Sequence, residues 1–188
     1  MRVISAIWIA ASLIATPPFA RAATPITACG TVITKSGSYV VTKNLTVKKG
    51  STTACIAVNT DYVTIDLGGF TIDCGGEDVL GVNVNSQAGL IVRNGMITRC
   101  NIGLAVSALS QTALLVDGLS TISNLGGGMS LGGSGAAVIR SISNDNGIGG
   151  IFLQCPANAV DNTALSNLSA PNISPIGSGC NLFNNLAP

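Results

Sequence analysis

Short apolar or alternating triplets recur along the chain at Ile56-Ala57-Val58, Val82-Asn83-Val84, Leu104-Ala105-Val106, Met129-Ser130-Leu131 and Ile151-Phe152-Leu153. From Val58 the steps to Val84, Val106, Leu131 and Leu153 are 26, 22, 25 and 22 residues. A second series follows each triplet: Val63-Thr64-Ile65, Leu90-Ile91-Val92, Leu114-Leu115-Val116, Ala137-Val138-Ile139 and Asn158-Ala159-Val160. From Ile65 the steps to Val92, Val116, Ile139 and Val160 are 27, 24, 23 and 21 residues. Triplets of this kind, with no helical period between them, predict short strands. Two strand series that recur in step predict an all-β solenoid. An antiparallel sandwich also has short, evenly spaced strands, but it gives no reason for two repeats in step.

Each turn of a solenoid is too thin to bury its own apolar side chains. Stacking turns about 4.8 Å apart buries them in a continuous column, with parallel backbone ladders between turns. Gly and Asn suit the corners, where φ is often positive. Asn94-Gly95, Asp117-Gly118 and Asn146-Gly147 are placed there. The composition agrees: Gly accounts for 23 of 188 residues and Asn for 16, against 4% aromatic residues. With 47% apolar residues and a mean hydropathy of +0.54, the chain has material for one core and one domain.

Arg2 precedes a largely apolar run from Val3 to Ala15, closed by Pro17 and Pro18. Ala20-Arg21-Ala22 has the small-x-small pattern of a signal-peptidase site, so residues 1–22 are expected to be an export signal removed after Ala22. A membrane anchor is the alternative, but the run falls short of the roughly 20 residues that cross a bilayer. No other segment is long and apolar enough for a membrane span. Losing Arg2 and Arg21 leaves seven basic against eight acidic residues. With 9% charged residues and no basic excess, nucleic acid is not an expected partner. The absence of histidine excludes Ser-His-Asp and Cys-His triads, as well as zinc sites that use imidazole.

All six cysteines lie after the expected cleavage site: Cys29, Cys55, Cys74, Cys100, Cys155 and Cys180. An even number in an exported chain predicts disulfides, and no Cys-x-x-Cys occurs. Six cysteines permit 15 pairings. Successive separations of 26, 26 and 25 residues favour the sequential pairing if the chain returns to the same place every 25 or so residues. Residues 23–50 are expected to form the cap and first turn, 51–168 the coil, and 169–188 an irregular closing segment, with disulfides tying both ends.

The run Asp61-Tyr-Val-Thr-Ile-Asp-Leu-Gly-Gly-Phe-Thr-Ile72, the turn-by-turn matches and Cys55 opening a strand carry a resemblance over most of residues 29 to 168. The chain resembles the secreted right-handed parallel β-helix proteins, the broad group that includes pectate-lyase-like folds. The resemblance implies a right-handed, single-stranded coil. It is weak for function, because this fold hosts lyases, hydrolases, adhesins and proteins of no known activity.

The residue after the inner position of the second series is Asp66, Arg93, Asp117, Arg140 and Asp161. Alternation places these on the outer face, so stacked turns are expected to carry a column of alternating charge. Read structurally, the column fixes register, because opposite charges on adjacent strands attract and a slip by one turn sets Asp over Asp. Read functionally, it is a polysaccharide site. Lyases of the resembled group place acidic Ca²⁺ ligands and a basic proton acceptor on one outer face. That alternative assigns Asp66 or Asp73 to the cation and Arg93 or Arg99 to the base; no cofactor is expected otherwise. Alternating arginines neutralise the acids and suit Ca²⁺ poorly, which favours the structural ladder. A hydrolase needs two or three acids close together, and none pair within the column.

Asp73 and Arg99 directly precede Cys74 and Cys100 and are candidates to pair there, with one residue more at Gly68-Gly69 than at Gly95. Glu77-Asp78 reads as a solvated loop. Lys43, Lys48 and Lys49 form a basic patch that suits a solvated edge or contact with an acidic glycan. The Gly-rich stretch 126–135 lacks the ending of a phosphate-binding loop. Asn44, Asn167 and Asn172 begin N-x-Ser/Thr matches. The expected function is therefore an exported, non-catalytic envelope scaffold or glycan-contacting protein, with a small lyase or hydrolase on acidic polysaccharide as the alternative.

Overall fold

A computed structural model describes residues 22–85, 87–107, 113–168 and 171–188; the expected export signal lies outside them except for Ala22. The described residues form strands, turns and loops, with no helix, and every strand pair is parallel. The protein is a parallel β-solenoid in which a complete turn contributes three strand segments. The first side carries Thr24–Ile26, Gly37–Val41, Val63–Asp66, the leading halves of Ile91–Thr98 and Leu114–Ile122, then Ala136–Ile139, Asn158–Val160 and Asn181–Phe183. The second side carries Leu45–Thr46, Thr71–Asp73, the trailing halves of the two long strands, and Ile142–Asn144. Single bridges continue it to Thr163 and Leu186. The third side is a seven-stranded sheet of Thr31–Ile33, Ile56–Val58, Val82–Asn85, Leu104–Ser107, Gly127–Leu131, Gly149–Gln154 and Ile173–Ile176. Sides one and two join as one 11-stranded sheet, bent at left-handed residues such as Asn94 (φ 58°) and Gly118 (φ 60°).

The third side has the register expected from the first strand series. Val58 lies beside Val84, Val84 beside Val106, Val106 beside Leu131, and Leu131 beside Leu153. Each is buried, and Ile33 extends the column by one turn. On the first side Ile65, Val92 and Val116 stack as expected, but the column continues through Val138 and Ala159. Ile139 and Val160 instead sit beyond Asp117, half exposed. The physical reason is visible in the stretch Ala136–Ile139, which is apolar on both faces, so alternation alone does not tell inside from outside.

The interior changes character along the axis. On the second side Leu45, Ile72 and Ile97 stack as apolar residues, and the next two members are Thr121 and Ser143. Both are fully buried, and both hydroxyls are used: Thr121 Oγ1 donates to Ser143 Oγ (2.9 Å), which donates to the Gly150 carbonyl (2.8 Å). The corner after this side begins with the buried Cys74–Cys100 disulfide and continues as a column of asparagines: Asn124, Asn146, Asn167 and Asn172. Each Oδ1 accepts from the backbone N–H of the preceding member, at 3.1 Å for Cys100 and Asn124, 2.9 Å for Asn146 and 3.2 Å for Asn167. A second column at the other corner runs Leu119, Ser141, Asn162, Asn185 in the same way. Asn146 is thus an interior residue; the left-handed corner position belongs to Asp145 (φ 56°). Gly147 is required because a Cβ there would lie 1.9 Å from the Leu125 carbonyl oxygen of the adjacent turn.

The three disulfides are sequential: Cys29–Cys55, Cys74–Cys100 and Cys155–Cys180. The first and third tie the end turns. Residues 171–188 depart from the irregular closing segment expected of them. Ile173–Ile176 pairs with Gly149–Gln154, and Asn181–Phe183 with Asn158–Val160, which adds further winding to the coil. Pro171 lies outside the strands, and Pro175 is tolerated because, among the described residues, Ile173–Ile176 is paired along one edge only.

Candidate functional site

Two features stand out on the surface: a series of acid–arginine pairs on the outer faces, and a notch at the N-terminal end. Asp66 and Arg93 are register partners, and Arg93 Nε donates to Asp66 Oδ2 at 2.9 Å. The Gly68 N–H (2.8 Å) and Asn94 Nδ2 (3.1 Å) also donate to this carboxylate. Burial opposes ionisation of Asp66, yet these three donors together hold its carboxyl below the usual carboxylate value. Asp117 lies beside Arg93 in register, but its ion pair is with Arg140, whose Nη2 reaches both oxygens at 2.6 and 2.7 Å. Asp161 accepts from Asn184 Nδ2 at 2.6 Å. Because Ile139 and Val160, not Arg140 and Asp161, take the register position of Asp117, Arg140 (φ 49°) and Asp161 (φ 57°) occupy left-handed corner positions. The expected continuous column is therefore two separate ion pairs and one hydrogen-bonded acid.

Asp73 and Arg99 pair one corner further on. Thr71–Asp73 aligns with Met96–Thr98, so the loop before it carries two more residues than its neighbour, where the sequence suggested one. Arg99 adopts φ 53° and grips Asp73 with Nε (2.9 Å) and Nη2. The hydrogen bonds from Arg99 hold the Asp73 carboxyl below its usual value, against the opposing effect of burial, and the Asp73 carboxylate raises Arg99 in turn. The four residues of the lyase alternative thus fall into two closed pairs, Asp66–Arg93 and Asp73–Arg99, on either side of the bend at 67–70. Asp78 is hydrogen-bonded by Asn101 Nδ2. Among the described residues no group of three or more His, Cys, Asp or Glu comes together as a metal site.

The notch follows from the path of the chain. Ile26 is in register with Val41 and Thr31 with Ile56. The first turn therefore passes from side one to side three in four residues, 27–30, where the second turn uses fourteen, 42–55. Side two is missing from the first turn. Among the described residues Leu45–Thr46 pairs only with Thr71–Asp73, which leaves its other edge open beside a depression of about 480 Å³. Thr27, Cys29, Lys43, Asn44, Lys48 and Ser51 are among its lining residues. The Cys29–Cys55 disulfide and the Gly30 N–H on the Cys55 carbonyl (2.8 Å) hold the short cut against the turn below. A Lys48–Ser51 turn carries Lys48 and Lys49 at the rim.

Charge is distributed unevenly along the rod. Residues 22–60 contain Lys35, Lys43, Lys48 and Lys49 and no acid, and these are all the lysines of the chain. All four are exposed, and none makes an ion pair among the described residues. Arg93, Arg99 and Arg140 are each held by an aspartate. Lys43, Lys48 and Lys49 were visible in the sequence as a patch. The cavity beneath them was not, because it depends on which residues of the first turn are in register. No known protein family, curated protein or solved structure matches the chain.

Proposed function

We propose that the protein is an exported, non-catalytic β-solenoid of the cell envelope, right-handed as its resemblance implies, which presents a rigid rod and contacts glycan. Three disulfides suit an oxidising compartment, and no helix of the described residues is long and apolar enough to cross a membrane. The observation that carries the reading is the closure of each described arginine, Arg93, Arg99 and Arg140, onto an aspartate. A lyase base must stand unprotonated to take the substrate's proton, whereas Asp73 drives Arg99 further toward the protonated state. The aspartates, with their ionised form already satisfied by arginine and backbone donors, have little left to offer a cation. Ion pairs of this kind lock neighbouring turns in register.

The test is an assay for unsaturated uronate products on pectate, alginate and glycosaminoglycans with added Ca²⁺. No product is expected, and Arg93→Ala is expected to lower the melting temperature without touching glycan affinity. A Ca²⁺-dependent product signal abolished by Arg99→Ala would establish the lyase alternative instead.

A further inference from the structure

We propose that the notch in the first turn is a binding site for an acidic oligosaccharide, engaged through its carboxylate or sulfate groups. The proposal rests on the reading of the protein as an exported glycan-contacting rod and assigns that contact a place.

Three independent features converge there. The omitted second side leaves a cavity of about 480 Å³, volume for a few sugar units, built into the fold by the four-residue short cut and locked by Cys29–Cys55. The open edge of Leu45–Thr46, together with Thr27, Asn44, Ser51 and Thr53, supplies polar groups suited to sugar hydroxyls. Lys43 and Lys48 line the depression without acidic partners, in a segment that has no acid to compete with a ligand. Arg93, Arg99 and Arg140, by contrast, are each neutralised by an aspartate. Among the described residues no aromatic side chain lines the notch, so neutral sugars lack a stacking platform there and charge selects the ligand. Nucleic acid fits less well. It calls for a basic track along the molecule and aromatic stacking, whereas the free cations are confined to one end.

The experiment is calorimetric titration of the oxidised protein, purified after export, with three hexasaccharides: oligogalacturonate, a heparin-derived sulfated hexamer, and neutral maltohexaose. The carboxylate and sulfate arms identify the anionic group. At least one anionic hexamer is expected to bind and to weaken with added salt, while maltohexaose does not bind. Lys43→Glu combined with Lys48→Glu is expected to weaken binding about ten-fold or more with the melting temperature unchanged, because both side chains are exposed. Arg140→Gln, on the outer face, is expected to leave binding intact. The notch assignment is overturned if no anionic hexamer binds, if the lysine double variant binds like the parent, or if a short single-stranded DNA binds more tightly than either hexamer. Cleavage of a hexamer would overturn the non-catalytic reading instead, and the lysine double variant would still decide where the ligand sits.

Discussion

Replacing Asn146 by Ala strikes the interior where the structure concentrates its polar bonding. Asn146 is fully buried. Its Oδ1 accepts from the Asn124 N–H (3.1 Å) and Asn124 Nδ2 (2.9 Å). Its Nδ2 lies within donating distance of the Thr121 carbonyl (3.1 Å), Ser143 Oγ (3.2 Å) and Asn167 Oδ1 (2.9 Å). Alanine leaves two donors on Asn124 and the acceptors around Nδ2 without their protein partner. Each stranded buried group costs about 1–3 kcal/mol. Counting the two stranded donors alone gives a loss of about 2–6 kcal/mol, a large share of the about 5–15 kcal/mol that holds a typical domain together. Asn44→Ala is the control: Asn44 is exposed and accepts one bond, from the Thr71 N–H at 3.0 Å, so about 1 kcal/mol is expected. Urea unfolding of the oxidised protein reads both variants through the midpoint at constant slope. If Asn146→Ala costs no more than Asn44→Ala, the columns of asparagine are not what satisfies the interior.

Two further predictions concern charge and cross-links. Asp66 and Asp73 have depressed carboxyl values when folded, so their stabilisation is fully present above the unfolded value of about 4 and is lost as pH falls through the folded values. Melting temperature should therefore be flat from neutral pH to about 5 and fall below about 4, with Arg93→Gln flattening the acid limb by at most about 1 kcal/mol, since the pair is screened by solvent. Replacing Cys74 and Cys100 together by Ala opens a cross-link spanning 26 residues and should cost about 3 kcal/mol in the same urea assay.

Much of the architecture could be read before any coordinates. The third side was legible because Val58, Val84, Val106, Leu131 and Leu153 each alternate with a less apolar neighbour or end a strand cleanly, so the inward residue is unambiguous. The sequential disulfides followed from the same return period. The outer charges were half legible: Asp66 and Arg93 pair as expected, but Ala137-Val138-Ile139 offers two apolar faces, and choosing the wrong one displaced Arg140 and Asp161 by one position. The asparagine columns were missed because Asn is an ordinary turn residue by composition. The signal lay in the 22- and 21-residue steps from Asn124 to Asn146 to Asn167, each one place after a left-handed residue: Ser123, Asp145 and Ser166. The notch was not legible, since the 26-residue spacing of Cys29 and Cys55 is the same as that of Cys74 and Cys100 and conceals a turn that lacks one side.

Every distance between groups on different turns depends on the parallel register, and engineered cross-linking tests it most directly. Ala57 and Asn83 are register partners on the third side, both only partly buried, while Asn85 lies two residues further along. Neighbouring parallel strands about 4.8 Å apart are within disulfide reach, and a two-residue offset carries the pair beyond it. Ala57→Cys with Asn83→Cys should oxidise to a disulfide found by peptide mapping alongside the three native ones, and Ala57→Cys with Asn85→Cys should keep both thiols free. The opposite pattern, or equal cross-linking of the two pairs, would contradict the stacking of turn upon turn.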